Sequence, residues 1–485
     1  MRKILAIDQG TTLTKAYLLD EAGGFTEVGR LPHQTMHPQA GWVEQDAEAL
    51  LHNIQTLIRM AGKFDALALA HQGETVVASD AETGLPLYPA IVWQDQRTQA
   101  WLEEERLKGL EQETLSRAGL PLDAYFSASK LRWLFHEVPA VKAAYQANRL
   151  RLSTSDAFFV SRLTGHYSTD TSSASRTSLA NLHTANWDDH LCDRFGVPTA
   201  TLPTIRPTVA DFGRLSIGSE SDGAPLVAVV VDQQAALFGH QCQQAGDMKI
   251  TFGTGAFALA LTGEKPHLHA GDGLLPTLAW TLPSRAGGVV NTTYAVDGGM
   301  YTAGAAIEWL KGLGLFSDYA ELSTYQGPSA LARGLVFVPA LAGLACPYWD
   351  RHAAGQWMGM RQDTTKADLC RAVVEGIALR AAEIVDTLSA IQPHLGQLSI
   401  DGGITKNPYF CQFFTDLLQR PVTVFSHADI TSLGTARLGS LALDSAAFQP
   451  AELLQQVYQP GAPTLAALRP RFHQALNMCR GWFSS

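Results

Sequence analysis

Three short stretches combine residues that could handle a phosphoryl group. The first, Ile4-Leu5-Ala6-Ile7-Asp8-Gln9-Gly10-Thr11-Thr12, ends an apolar run in a carboxylate and follows it with a glycine and two hydroxyls. The second, Gly253-Thr254-Gly255, repeats the glycine and hydroxyl theme between two apolar runs. Turns of this kind bring backbone N–H groups and threonine hydroxyls to bear on one anion with no bulky side chain between. Asp8, beside such a turn, is placed to hold hydrated Mg²⁺ against nucleotide phosphates. In the third stretch, Leu226-Val227-Ala228-Val229-Val230-Val231 runs into Asp232 just before a helix-forming segment. Ligands of open α/β sheets gather at such strand ends. Plain alternatives exist for each: ordinary hairpin turns, a turn-forming aspartate at 8 and a helix N-cap at 232. No GxxxxGK[ST] loop occurs, which disfavours a P-loop nucleotidase.

The elements that must position these groups read as α/β. Lys3 to Asp20 and Met248 to Thr262 each form a strand-turn-strand unit, and Leu398 to Asn407 gives a strand ending in Asp401 and two glycines. Amphipathic helical stretches follow, for example Asp46 to Met60 and Lys366 to Ser389. Recurrence of a strand, an acid and glycine in each half points to a duplicated lobe, with the join near Gly239 to Gly246. The expected division is 1–240 and 241–485. A chain of 485 residues that is 46% hydrophobic has ample core, and its net charge of −10 without basic blocks argues against nucleic acid or anionic membrane as partner. Six scattered cysteines lack zinc or redox spacing and read as reduced core thiols. The apolar run at the start is broken by Asp8, no stretch approaches a membrane span, and a cytoplasmic location is expected.

The chain resembles the FGGY carbohydrate kinases, most closely their glycerol-phosphorylating branch. Ordered blocks carry the resemblance: IDQGTTLTKA at 7–16, ETVVASDAETGLPLYPAIVWQDQRT at 74–98, SASRTSLANLHTANWDD at 173–189, VDQQAALFG at 231–239, TFGTGAFALALTG at 251–263 and DGGITKNPYFCQFFTDLL at 401–418. It implies two actin-like, ribonuclease-H-like lobes flanking a cleft, MgATP held mainly by the second lobe and a small polyol or sugar by the first. It also implies that Asp232 is the base for the attacking hydroxyl and that Gln233, Glu74, Trp93, Tyr125 and Phe257 contact the acceptor. On the nucleotide side it implies phosphate contacts from Thr12, Lys15 and Thr254, to which the turn adds Thr11, with Gly304, Glu308, Gly403 and Asn407 around the adenosine. A homodimer or homotetramer is the family habit.

Departures from the pattern bear on the acceptor. Where the branch has Asn-Gln-Arg-Glu, this chain has His71-Gln72-Gly73-Glu74, so Gly73 replaces an arginine that donates to a terminal hydroxyl. That exchange removes charged donors and is expected to open space along the acceptor. Lys15 stands for Arg, Glu308 for Gln and Asp297-Gly298 for Glu-Gly, the last two read as tolerable for nucleotide binding. The expected activity is ATP-dependent phosphorylation of a primary hydroxyl, of glycerol first, or of a larger polyol or ketopentose such as erythritol, ribitol, xylulose or ribulose. From a different class, a non-catalytic actin-like ATP-binding sensor is the alternative.

Overall fold

The computed structural model describes residues 1–268, 271, 273–283, 290–392, 394–426, 429–443, 448, 455–461 and 463–483. Its N-terminal half is organised by a five-stranded sheet. Strand β1 (Lys3–Gln9) pairs antiparallel with β2 (Leu13–Asp20), Asp8 opposite Lys15, and β3 (Phe25–Pro32) extends the hairpin. On the other side β4 (Ala66–His71) lies parallel to β1, and β5 (Leu226–Val231) parallel to β4. Both faces of β1, β4 and β5 are covered, which is why their sequences run apolar without alternation. Helix α1 (Ala47–Ala61) packs Leu50, Ile54 and Leu57 on one face, capped by the Asp46 carboxylate, which accepts from the N–H groups of Glu48 and Ala49.

Between β4 and β5 the chain inserts residues 72–225, a subdomain with its own core around Leu131, Leu134 and Leu152. This insertion delivers Glu74, Trp93 and Tyr125. Strand β5 then runs directly into helix α2 (Asp232–Gly239).

The C-terminal half repeats the plan. Strands β6 (Met248–Phe252) and β7 (Ala256–Gly263) form the hairpin around Gly253-Thr254-Gly255. Beyond β7 come β9 (Val290–Met300) and, at the edge, β8 (Leu275–Pro283), both antiparallel. On the other side β10 (Leu398–Gly402) and β11 (Val422–Phe425) run parallel to β6, with β12 (Gln455–Tyr458) as the far edge. The order β9-β7-β6-β10-β11 matches β3-β2-β1-β4-β5, so the duplication read from two hairpins is a repeated sheet topology. Helices α3 (Gly304–Gly312), α4 (Lys366–Ala390), α5 (Pro408–Leu418) and α6 (Ile430–Leu443) complete this half.

Two helices exchange places between the halves. Helix α2 sets Leu237 among Leu259, Leu261, Trp280 and Ala295 of the C-terminal sheet. Helix α6, although it lies within the expected second lobe, sets Leu433, Ala436 and Leu438 against Ile4, Ala68 and Val230 of the N-terminal sheet. They cross at Gly239 and Gly434, where a Cβ on either would run into a backbone carbonyl of the partner helix. All six cysteines are buried and none is in a disulfide, as expected of reduced core thiols. Among the described residues, no helix is long and apolar enough to cross a membrane.

Candidate active site

At the C-terminal ends of β4 and β5 a pocket of about 110 Å³ gathers Gly73, Glu74, Trp93, Tyr125, Asp232, Gln233 and Phe257, all of the expected acceptor residues. Trp93 meets Tyr125 edge-on at 5.6 Å and Phe257 at 6.5 Å, so the aromatic wall is a joint product of both halves. The turn after β4 is sharp: the Thr75 N–H donates to the Gly73 carbonyl at 2.7 Å, and Glu74 sits at φ 56°, a left-handed backbone uncommon for a residue with a side chain. Strain of this kind is sustained by surrounding contacts, and Glu74 has a strong one. The Arg176 Nε donates to its Oε1 at 2.6 Å while Nη2 donates to Asp297 Oδ2 at 3.2 Å. Among the described residues, the buried Arg176 Nη1 has no hydrogen-bond partner.

Asp232 is the first residue of α2, with Val231 in the cap position, so its carboxylate is not used as a cap. Burial, then Glu74, pushes it up to about 6, against the pull of His71 and Lys249. Lys249, wholly buried on β6, donates to Gln233 Oε1 at 2.7 Å and Thr251 Oγ1 at 3.1 Å. Burial lowers its ammonium, opposed by Asp401, Asp232 and Asp297. With its carbonyl oxygen engaged there, Gln233 keeps its amide N–H groups for the pocket.

Behind the first hairpin, Lys15 Nζ lies 2.6 Å from Asp429 Oδ2 and 3.5 Å from Asp8 Oδ2. Burial works against that ammonium, but Asp8 and Asp429 hold it above its ordinary value. Asp8 is pushed up to about 7 by burial, with Asp429 and Asp232 adding to it and Lys15 opposing. Among the described residues its buried Oδ1 has no hydrogen-bond partner. A carboxylate crowded by other carboxylates with an orphaned oxygen suits a hard divalent cation. Thr11 departs from its expected place on the nucleotide side: its Oγ1 accepts from Trp93 Nε1 at 3.0 Å, and the residue lines the acceptor pocket. Thr12 is exposed at the tip of the same turn.

In the second half a cavity of about 840 Å³ is lined by Thr254, Gly304, Glu308, Gly403 and Asn407. Glycine is required at 304, where a Cβ would stand 2.5 Å from the Gly253 carbonyl that accepts from the Gly304 N–H. Gly403 faces open space. Asn407 lines the cavity with its amide already committed: Oδ1 accepts from the Tyr409 and Phe410 N–H groups, and Nδ2 donates to the Leu322 carbonyl. Glu308 accepts from the Tyr319 hydroxyl at 2.6 Å.

Sequence reasoning missed Arg176, Lys249 and Asp429, and Asp297, read alongside nucleotide binding, lines the smaller pocket and not the larger cavity. Asp297 lines the acceptor pocket because it pairs with Leu259 across the β7–β9 ladder, and both residues face that pocket. Arg176 lay in the quoted SASRT block, and Lys249 one residue past an apolar boundary, without a local signal of a charge partner. Among the described residues one group has metal-ligand proximity, His71, Asp156 and Asp170. The two oxygens of Asp170 already accept five hydrogen bonds from Ser172, Ser173 and Thr208, so this group is a buried structural network.

Residues 3–239 match the sequence profile of the FGGY family of carbohydrate kinases, N-terminal domain, and residues 248–443 that of its C-terminal domain. A glycerol kinase of Acaryochloris marina is 37% identical over 497 residues, covering 99% of this chain and 98% of its own. The crystal structure of Plasmodium falciparum glycerol kinase with ADP superposes with a TM-score of 0.90 at 29% identity, covering 99% of this chain and 98% of that one. A ligand-bound xylulose kinase from Lactobacillus acidophilus shares the fold, with a TM-score of 0.87 at 22% identity over 100% of both chains.

Proposed function

The chain belongs to the FGGY family of carbohydrate kinases, an ATP-dependent enzyme family, and we propose that it phosphorylates a primary hydroxyl of a small neutral polyol or sugar, glycerol being the simplest acceptor. The observation that carries this reading is the convergence of Asp232 with Glu74, Trp93, Tyr125, Gln233 and Phe257 on one small pocket. MgATP, when bound, would supply the phosphoryl group, with the cation spreading its negative charge. Asp8 and, behind it, Asp429 and Lys15 are the residues suited to hold the Mg²⁺ and the phosphates, and the second-half cavity suits the adenosine.

The chemistry asked of the chain is positioning plus one proton transfer. As the acceptor oxygen bonds to phosphorus and the bond to the ADP oxygen breaks, the hydroxyl proton passes to a carboxylate oxygen of Asp232. A base raised to about 6 stays ionised at neutral pH and is a better proton acceptor than an ordinary carboxylate. Glu74, locked by Arg176, accepts from a second hydroxyl, and the amide of Gln233 donates to the acceptor. Trp93 and Phe257 cover carbon-bound hydrogens and keep water from competing.

Asp232→Asn tests this in a coupled ADP-release assay. Turnover should fall by about 10²- to 10⁴-fold with ATP affinity little changed, the range for losing a positioned base. Undiminished turnover would remove Asp232 from the mechanism, and a wild type without turnover on any neutral acceptor would favour the non-catalytic sensor.

A further inference from the structure

The acceptor pocket does not end at its aromatic wall. A second cavity of about 300 Å³ continues from it, sharing Trp93, Tyr125, Phe257 and Asp297. Phe126, Tyr301 and Trp349 add aromatic surface to this space, and Gln94, Asp123 and Arg351 supply polar groups. Arg351 crosses from the C-terminal half, its guanidinium 4.1 Å from the Tyr301 ring centroid and 3.8 Å from Asp123 Oδ2 of the inserted subdomain. The Tyr301 hydroxyl is buried and has no hydrogen-bond partner among the described residues. Flat apolar faces interleaved with amide, carboxylate and guanidinium groups are what a polyhydroxylated carbon chain needs. Its C–H surfaces lie on the rings and its hydroxyls find donors and acceptors between them.

The junction is polar on one side. Asp297 lines both cavities, and Arg176, bonded to it, lines the inner one, its Nη1 without a hydrogen-bond partner among the described residues. A donor and an acceptor therefore stand where the third or fourth carbon of an extended acceptor would pass. Charge restricts the class further. Glu74, Asp232 and Asp297 face the inner pocket against the single guanidinium of Arg176, so a carboxylate- or phosphate-bearing acceptor would enter against a negative field.

We propose that the outer cavity is the subsite for the distal part of the acceptor, and that the preferred acceptor is a neutral polyol or keto-sugar of more than three carbons. Its reacting end lies at Asp232, its middle hydroxyls meet Arg176 and Asp297, and its far end rests among Tyr301, Trp349 and Phe126. This rests on the kinase reading given above.

The test is a ladder of neutral acceptors, glycerol, erythritol, ribitol, xylulose and ribulose, measured by ADP release in wild type and two variants of the outer cavity. Ala345→Leu fills the cavity, and Tyr301→Ala removes one of its faces. In wild type the best five-carbon acceptor should exceed glycerol in kcat/KM by about tenfold or more, as expected for added groups that find a fitted site. Each variant should reduce that advantage by about tenfold, and an unchanged far-ultraviolet circular dichroism spectrum reports that the variant is folded. Glycerol as best acceptor, or variants that leave every ratio unchanged, would overturn the subsite while leaving the kinase reading intact. Loss of ADP release with all acceptors in wild type would overturn both. Should one variant not fold, the other carries the test alone.

Discussion

Gly73→Arg, made alone and together with Val231→Ala, is the sharpest test of how the acceptor pocket acquired its shape. On sequence alone, glycine in place of arginine implies a vacancy. In the structure Val231 Cγ1 occupies the direction a side chain at 73 would take, 3.1 Å from an ideal Cβ, and Val231 lines the same pocket. The wall beside Glu74 is therefore a methyl group. Gly73→Arg alone forces Val231 to give, an overpacking cost of about 1–3 kcal/mol. Trimming the valine to alanine relieves it. The added guanidinium would then face three carboxylates and one existing cation, a favourable field, and its donors to an acceptor hydroxyl are worth about 1.5–3 kcal/mol. By the factor of ten per 1.4 kcal/mol, that is roughly a 10- to 150-fold gain in kcat/KM for glycerol in the double variant over wild type. The single variant should gain much less, giving a coupling of at least about 1 kcal/mol between the positions. The assay is initial-rate ADP release with glycerol, erythritol and xylulose across the four members of the cycle. Equal gains with and without Val231→Ala would remove the valine from the wall. No gain for glycerol in the double variant would remove position 73 from acceptor recognition altogether.

Two further outcomes follow from the buried charges. With Asp232 at about 6, kcat/KM should fall about tenfold per pH unit below that value, and Lys249→Met, which removes a cation that lowers Asp232, should move this acid limb to higher pH; an unmoved limb would make Lys249 a packing residue only. Asp8, raised from 3.8 to about 7, binds its proton more tightly folded than unfolded, so its contribution to stability is full below about pH 4 and is lost as pH rises through 7. Asp8→Asn should accordingly raise the melting temperature of the nucleotide-free protein at pH 8 and abolish the stabilisation that Mg²⁺ gives the wild type. A variant less stable at pH 8, with its Mg²⁺ response intact, would contradict the assignment.

What the sequence made legible was whatever repeats or is local. The hairpins around residues 9–12 and 253–255, the helix read over 46–60 and the strand leading into Asp232 are each written in a few adjacent residues. Glu74, Trp93, Tyr125 and Phe257 could be assigned through resemblance but not through physics, since an isolated tryptophan or tyrosine is more often core. Partners were illegible for a plain reason: Arg176 reaches Glu74 across 102 positions and Asp297 across 121. Nothing in the local pattern of SASRT says that its guanidinium will meet two carboxylates. The same holds for Val231, an unremarked residue of an apolar strand until its methyl is found over Gly73. Thr11 shows the limit of motif reading, because the hydroxyl expected to meet a phosphate instead accepts from Trp93 Nε1 and lines the pocket of Glu74 and Asp232.

The exchanged helices explain why acids from distant parts of the chain can act together. Asp232 opens α2, which packs on the C-terminal sheet, and Asp429 immediately precedes α6, which packs on the N-terminal sheet. Asp8 lies near the end of the strand that α6 covers; burial raises it most, and both other carboxylates add to that rise against Lys15. The two helices approach backbone to backbone at Gly239 and Gly434, with no bulk between them. The separation of these acids is thus fixed by the crossing itself and not by how far the lobes stand apart at the rim. The groups lining the proposed acceptor subsites are distributed differently: Trp93 and Tyr125 come from the inserted subdomain, Phe257, Tyr301 and Arg351 from the other half. A change in lobe separation would therefore alter the lining of the proposed acceptor subsites much more than the spacing of Asp8, Asp232 and Asp429, and this is the arrangement a phosphoryl transfer shielded from water requires.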